Sequence, residues 1–299
     1  MSIPAQLVKE LREKTGVGMM ECKKALEENT GDMEKAILWL RERGMSRAAK
    51  KADRIAAEGL IQVQVSADKK SGVLVELNCE TDFVTKNGDF SGFAQEVATI
   101  ALTKKMSNTE ELLSAKMKNG NDVKSNLTEL IAKIGENMNL RRVQVLSTSN
   151  GVVSGYTHMG GKIGTLVVLE GATGTDVEDL GKDLAMHVAA AAPRFMVESD
   201  VNAAELEQER ELARKKLAEE GKPADMIEKI LVGQMKKFFK EVCFIEQAFI
   251  KDPGVTVLKH VENTKKGLKV ASFARFHLGE GIEKKKENFA DEVAAQLKK

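Results

Sequence analysis

A hairpin, a loop, a helix and a returning strand follow one another twice along this chain, and a duplication of that kind leaves few folds open. In the first copy, the alternation of Leu60 and Gln62 with Ile61, Val63 and Val65 marks a half-buried strand after Gly59. A polar turn over residues 67–72 leads into Val73-Leu74-Val75-Glu76-Leu77, which reads as a mostly buried strand. Helical spacing resumes at Phe93, Val97, Ile100 and Ala101, and further helical segments lie around Leu112 and at Leu127, Leu130, Ile131 and Ile134. Gly135 ends them, and residues 140–145 return as a strand. The second copy runs through strand residues 152–158, a turn at Met159-Gly160-Gly161-Lys162 and a buried strand over 163–170. A helix carrying Val177, Leu180, Leu184, Ala185 and Val188 follows and stops at Pro193, and residues 270–276 close the copy near the end of the chain. The pattern predicts an α+β protein whose core is two related halves, 59–146 and 147–199 plus 244–281, each built on an antiparallel sheet.

The second half is interrupted at 200–243. Two apolar stripes, one at Leu206, Ala213 and Leu217 and one at Ile227, Leu231, Met235, Phe238 and Val242, flank Gly221-Lys222-Pro223. An antiparallel helical hairpin is expected, serving either as a structural flap or for self-association. Ahead of the core, residues 1–44 read as three short helices: Ile3, Leu7, Val8 and Leu11 on the first, Ala25 and Leu26 on the second, and Met33, Ala36, Ile37 and Leu40 on the third, with Asp32 as its N-cap. A unit of about 40 residues is marginal by itself. Residues 45–58, basic and alanine-rich, read as a partly helical linker. After Gly279-Glu280-Gly281, apolar residues Ile282, Phe289, Val293 and Leu297 mark a closing charged helix over 282–299.

Two local features break the regular pattern. Met19 and Met20 are adjacent at the start of the second helix, so one face cannot bury both; with Lys23 they form a docking edge, or else the methionines cap a small core and Lys23 is a solvated charge. The buried strand ends in Asn78-Cys79-Glu80-Thr81-Asp82-Phe83-Val84, an acid and an aromatic side by side in a loop. There, Asp82 and Phe83 either reach outward or serve as a cap and a core plug.

Composition removes several classes of function. Lys and Arg number 46 against 45 Asp and Glu, leaving no basic field to hold nucleic acid, and at 4% aromatic the chain lacks stacking platforms for single strands. Cys22, Cys79 and Cys243 are far apart and match no metal spacing, which suits a reducing cytoplasm. No apolar run approaches the ~18 residues of a membrane span. His158, His187, His260 and His277 are scattered, no phosphate loop or nucleophile motif appears, and the acids around Cys79 disfavour its thiolate. Neither an active site nor a cofactor is expected, and such a chain is built for contact.

Thr15-Gly16-Val17-Gly18-Met19-Met20-Glu21-Cys22-Lys23-Lys24-Ala25-Leu26 and Asn78-Cys79-Glu80-Thr81-Asp82-Phe83-Val84 closely resemble the two signatures of the elongation factor Ts family, nucleotide-exchange factors of bacterial translation. The order of segments matches over essentially the whole length, including Ala132-Lys133-Ile134-Gly135-Glu136-Asn137, Ala185-Met186-His187-Val188-Ala189 and Gly279-Glu280-Gly281. The resemblance implies a ubiquitin-associated-like head, a core of two related subdomains, a hairpin used for homodimer contacts in some members, and a carboxyl-terminal module. It implies as partner the GTPase elongation factor Tu, in GDP-bound and nucleotide-free forms. Thr81, Asp82, Phe83 and Val84 would intrude beside the partner's Mg²⁺ and nucleotide, while Arg12, Met19, Met20 and Lys23 of the head would rest against a helix of the GTPase domain. Val17 and Thr85 stand where smaller residues are common in the signatures, and Lys284-Lys285-Lys286 makes the end of the chain unusually basic. The competing expectation is an adaptor whose head binds ubiquitin-type partners without exchange activity.

Overall fold

Local sequence ends the first helix and starts the third in a computed structural model that describes residues 3–283. Helix α1 (Ala5–Thr15) ends because Gly16 takes the left-handed conformation, φ 65°, and its N–H bonds back to the Arg12 carbonyl. Helix α2 (Met19–Glu28) follows, and α3 (Met33–Ala49) starts where the Asp32 carboxylate accepts the Lys35 N–H at 3.0 Å. Leu11, Cys22, Ala25, Leu26 and Ala36 are fully buried between the three.

Helix α3 does not stop at Gly44. It continues to Ala49, so the expected linker at 45–58 begins inside a helix, and only residues 50–57 connect the head to the first strand. Packing explains the difference: Gly44 is buried, and a Cβ there would lie 2.9 Å from Cβ of Ala132. A close helix approach outweighs the ~1 kcal/mol that glycine costs in a helix interior.

The core is two antiparallel three-stranded sheets. Strands β1 (Glu58–Val65) and β2 (Ser71–Cys79) form the first hairpin, and after a 3₁₀ turn, Asp82–Lys86, come α4 (Gly88–Lys104), α5 (Thr109–Ser114), α6 (Val123–Ile134) and β3 (Met138–Ser147). The second copy has β4 (Gly151–His158), β5 (Ile163–Glu170) and α7 (Thr175–Ala191), then the inserted hairpin α8 (Ala203–Glu219) and α9 (Ala224–Val242). A two-stranded ribbon, β6 (Ala248–Phe249) with β7 (Asp252–Thr256), helix α10 (Val257–Thr264) and strand β8 (Lys269–His277) complete it. Sheet order is β1-β2-β3 in one half and β4-β5-β8 in the other.

The duplication extends to detail. Gly59 opposite Asn78 and Gly151 opposite Glu170 open the two hairpins, and a Cβ at either would lie 2.1 Å or 1.8 Å from a carbonyl oxygen of the facing strand. Each middle strand then shifts register against its third strand, at Glu76/Leu77 and at Val168/Leu169.

Four layers result. Leu60, Val73, Val75 and Leu77 face α4 and α6, while Ile61 and Leu74 on the opposite face meet Val153, Leu166 and Val168 of the second sheet. Val152, Val167 and Leu169 in turn face α7 and α10. With both sheets covered on both sides, β2 is buried at every position, which accounts for its nearly continuous apolar run. Glycines let the sheets approach: a Cβ on Gly164 would sit 2.5 Å from Ile61 Cγ2.

Where the chain returns from the insertion, His187 of α7 holds it. The Ile250 N–H donates to Nδ1 at 3.1 Å, which leaves Nε2 protonated to donate to Gln247 Oε1 at 2.9 Å. Burial holds this imidazole below its ordinary pKa. Elements β6, β7 and α10 were not expected from sequence, and the expected closing helix and Lys284-Lys285-Lys286 lie outside the described residues. No helix among the described residues is long and apolar enough to cross a membrane.

Candidate protein-binding site

The seven-residue stretch at the end of β2 is an anchored projection. Cys79, fully buried, donates its thiol hydrogen to the Thr81 carbonyl at 3.0 Å, turning the chain out of the sheet. Thr81 then donates twice to one carboxylate: its N–H to Glu136 Oε2 at 2.9 Å and its hydroxyl to Oε1 at 2.6 Å. The 3₁₀ turn is closed by the Thr85 hydroxyl on the Asp82 carbonyl at 2.6 Å and by the Asn87 N–H on the Val84 carbonyl at 2.9 Å.

Within this frame Asp82, Phe83 and Val84 divide sharply. Val84 points inward, 6% exposed, into the cluster formed by β2, α4 and Phe90. Phe83 points outward at 79% exposure, and Asp82 is exposed with a carboxylate that makes no hydrogen bond or ion pair with any described residue. The core plug is therefore Val84 and the cap of α4 is Asn87, whose side chain accepts the Asp89 N–H at 2.8 Å. Asp82 and Phe83 are free of both duties.

On the head, Met19 is 51% and Met20 75% exposed at the amino end of α2, and neither belongs to the head's core. Arg12 and Lys23 are also exposed, with Lys23 3.8 Å from Glu27 one turn on, a solvated pair worth little. Among the described residues, Phe83 and Met20 are the two most exposed large hydrophobic side chains. Burying a phenyl or thioether side chain of this kind on a partner would gain roughly 1.5–3 kcal/mol each.

Sequence reading missed what supports the turn. Glu136 directly follows the helix-ending Gly135, and only the fold brings it to Thr81. It also missed a buried carboxylate on β2. Glu76, with no exposed side-chain surface, receives Arg141 Nη1 at 3.2 Å, the Arg142 guanidinium, Asn78 Nδ2 at 3.2 Å and the Gly279 N–H at 2.9 Å. Burial alone would raise its pKa, but the Gly279 N–H and Arg142 outweigh that and hold it below the ordinary 4.5.

Nothing at the site is arranged for covalent chemistry. Burial, with the Glu136 and Glu58 carboxylates, pushes the Cys79 thiol up to about 12, and burial near Glu198 and Glu246 pushes Cys243 up to about 11. Burial raises Cys22 as well. All three thiols should therefore resist iodoacetamide at pH 7.5 in the native chain and react on denaturation; rapid native labelling, read by intact mass, would contradict their placement. Among the described residues no group of three His, Cys, Asp or Glu side chains could hold a metal ion.

The chain is similar to known proteins over nearly its whole length. The model of the family described as Elongation factor TS matches residues 80–280. Elongation factor Ts of Clostridium botulinum (strain Alaska E43 / Type E3) is 48% identical over 302 residues, covering 99% of this chain and 100% of that protein. Elongation factor Ts of Clostridium perfringens (strain ATCC 13124) is 48% identical over 297 residues, 98% of each. The family model spans well over half of the 299 residues and both relatives align end to end, so this chain belongs to the elongation factor Ts family.

Proposed function

We propose that this translation elongation factor binds elongation factor Tu in the cytoplasm and accelerates its release of GDP, having no active site of its own. The observation that carries the reading is the outward pair Asp82 and Phe83 on a turn whose neighbours, Thr81 and Val84, are pinned. Such a turn presents a rigid apolar wedge with a carboxylate at its side, and little ordering entropy is lost when it docks.

The chemistry follows from the partner's ion. Mg²⁺ demands near-octahedral oxygen ligation and bridges nucleotide phosphate to protein groups and waters. A carboxylate entering that shell competes for its hydrogen bonds, and a phenyl ring between packed elements displaces what supports them, so the ion and then GDP are held less tightly. Met19, Met20, Arg12 and Lys23 supply a second contact on the GTPase domain. The exposed Leu212 and Val232 of the helical hairpin support self-association through that element.

Linkage supplies the test. A factor that weakens GDP binding is itself weakened by GDP to the same degree. On gel filtration the chain should co-elute with nucleotide-free elongation factor Tu, and added GDP should separate the two. Co-elution that GDP leaves untouched would contradict exchange, and capture of ubiquitin-type partners in place of the GTPase would favour the adaptor reading.

A further inference from the structure

The sequence Lys133-Ile134-Gly135-Glu136-Asn137 lies on neither exposed contact, yet Glu136 reaches toward one and Lys133 toward the other. Glu136 holds the wedge turn through both oxygens, as described, and the neighbouring Asn137 N–H returns a hydrogen bond to the Glu80 carboxylate, so two adjacent residues on each segment are cross-bonded. The Asn137 side chain, buried, donates to the carbonyls of Ala52 at 3.3 Å and Arg54 at 2.7 Å, and Lys51 donates to the Gly135 carbonyl. The chain leaving α3 is thus fastened to the segment that fastens the turn.

Lys133 reaches the other way. Its ammonium lies 2.8 Å from the Asp89 carboxylate in the first turn of α4, just past the wedge. Its stem passes against Gly16, where a Cβ would lie 2.6 Å from the Lys133 Cε. Gly16 opens the connection that leads directly to Met19 and Met20, and the end of the lysine side chain lies against it.

We propose that residues 133–137 are a positioning hub that fixes the Met19/Met20 edge of the head and the Asp82/Phe83 wedge in one geometry. The functional arm rests on the exchange reading: two contacts held in register engage a GTPase together, whereas two loosely joined ones must each be ordered on binding. None of the hub residues touches the partner in this account. Glu136 and Lys133 act through Thr81 and through the Gly16 connection.

Pulsed electron spin resonance tests the geometry without any partner. Nitroxides are placed at Met20→Cys and Phe83→Cys, the three native thiols being buried. The otherwise native chain should give a single narrow distance distribution, and Lys133→Met with Glu136→Ala should broaden it at least twofold with the melting transition kept. Glu136→Gln, which keeps an acceptor for Thr81, should stay near native width. An unchanged distribution in the Lys133→Met, Glu136→Ala chain would overturn the proposal, as would Glu136→Gln broadening as much as Glu136→Ala. In unlabelled chains Glu136→Ala should slow catalysed GDP release about tenfold, and less than twofold when Phe83→Ala is already present. Equal losses in both backgrounds would overturn the functional arm. Failure of the exchange reading is separate: the native chain itself would not accelerate release, and the distance result would still decide the geometry.

Discussion

On the proposed exchange reading, Phe83→Ala should lower the efficiency with which the chain promotes GDP release by roughly thirtyfold and leave its folding intact. The magnitude follows from the place of the side chain. An aromatic anchor that moves from water into a desolvated pocket on a partner is the commonest kind of hot spot, and its truncation costs about 2 kcal/mol or more, a factor of ~30. The absence of a folding penalty follows from its 79% exposure, since surface truncations away from caps and cores stay within about 0.5 kcal/mol. Val84→Ala, one residue on, should do the reverse: it hollows the cluster beneath the turn and lowers stability first. Asp82→Ala should slow release with stability unchanged. Thermal melts beside release kinetics separate the three, and an unchanged rate for both Phe83→Ala and Asp82→Ala would remove the turn from the mechanism.

The largest expected effect on stability belongs to Glu76→Gln. The carboxylate sits on the middle strand of the first sheet with Arg141 and Arg142 beside it, and it accepts the Gly279 N–H from beyond β8. Arg142 also donates to the His277 carbonyl at 2.9 Å and stacks 4.2 Å over the Phe276 ring. One acid therefore ties the last strand of the second half to the first half. Neutralising it leaves Arg141 without an anion and Arg142 with only the exposed Glu280 carboxylate at 3.3 Å, which costs about 3 kcal/mol. Denaturant titration followed by circular dichroism should show the midpoint falling sharply, and hydrogen exchange should show residues 277–281 opening first. A midpoint within experimental error of native would contradict this role.

The sign with pH is fixed by the same contacts. The folded-state pKa of Glu76 is depressed below 4.5, so its contribution is complete above the unfolded value and is lost as pH falls through the folded value. Glu76→Gln should accordingly lose part of the acid sensitivity that the native chain shows below about pH 4.5.

How far the sequence speaks depends on whether the decisive interaction is local. The hairpins, the helix stop at Gly135 and the Asp32 cap are local, and residue pattern was enough to place them. The course of α3 through Gly44 is not, because the reason for it is Ala132 on another helix. Residues 244–264 hold a two-residue strand, a strand with Pro253 in it and an eight-residue helix, each too short for a period to emerge. Glu76 looked like one polar position in a buried strand, and nothing in its neighbourhood announces Gly279.

At the site itself, sequence placed the turn but left its orientation open, since an acid and an aromatic after a strand can cap and plug as readily as project. The structure assigns those duties to Asn87 and Val84, and so gives Asp82 and Phe83 to the surface. The support from Glu136 was invisible because Thr81 and Glu136 are neighbours only after α4, α5 and α6 have folded between them.

In the proposed exchange, this chain loosens another protein's nucleotide. Stopped-flow release of a fluorescent GDP from elongation factor Tu, chased with excess unlabelled GDP, addresses it directly. Adding the native chain should raise the release rate at least tenfold and in proportion to its concentration before saturation, with the Phe83→Ala chain far behind. A release rate the same with and without the native chain would contradict the account.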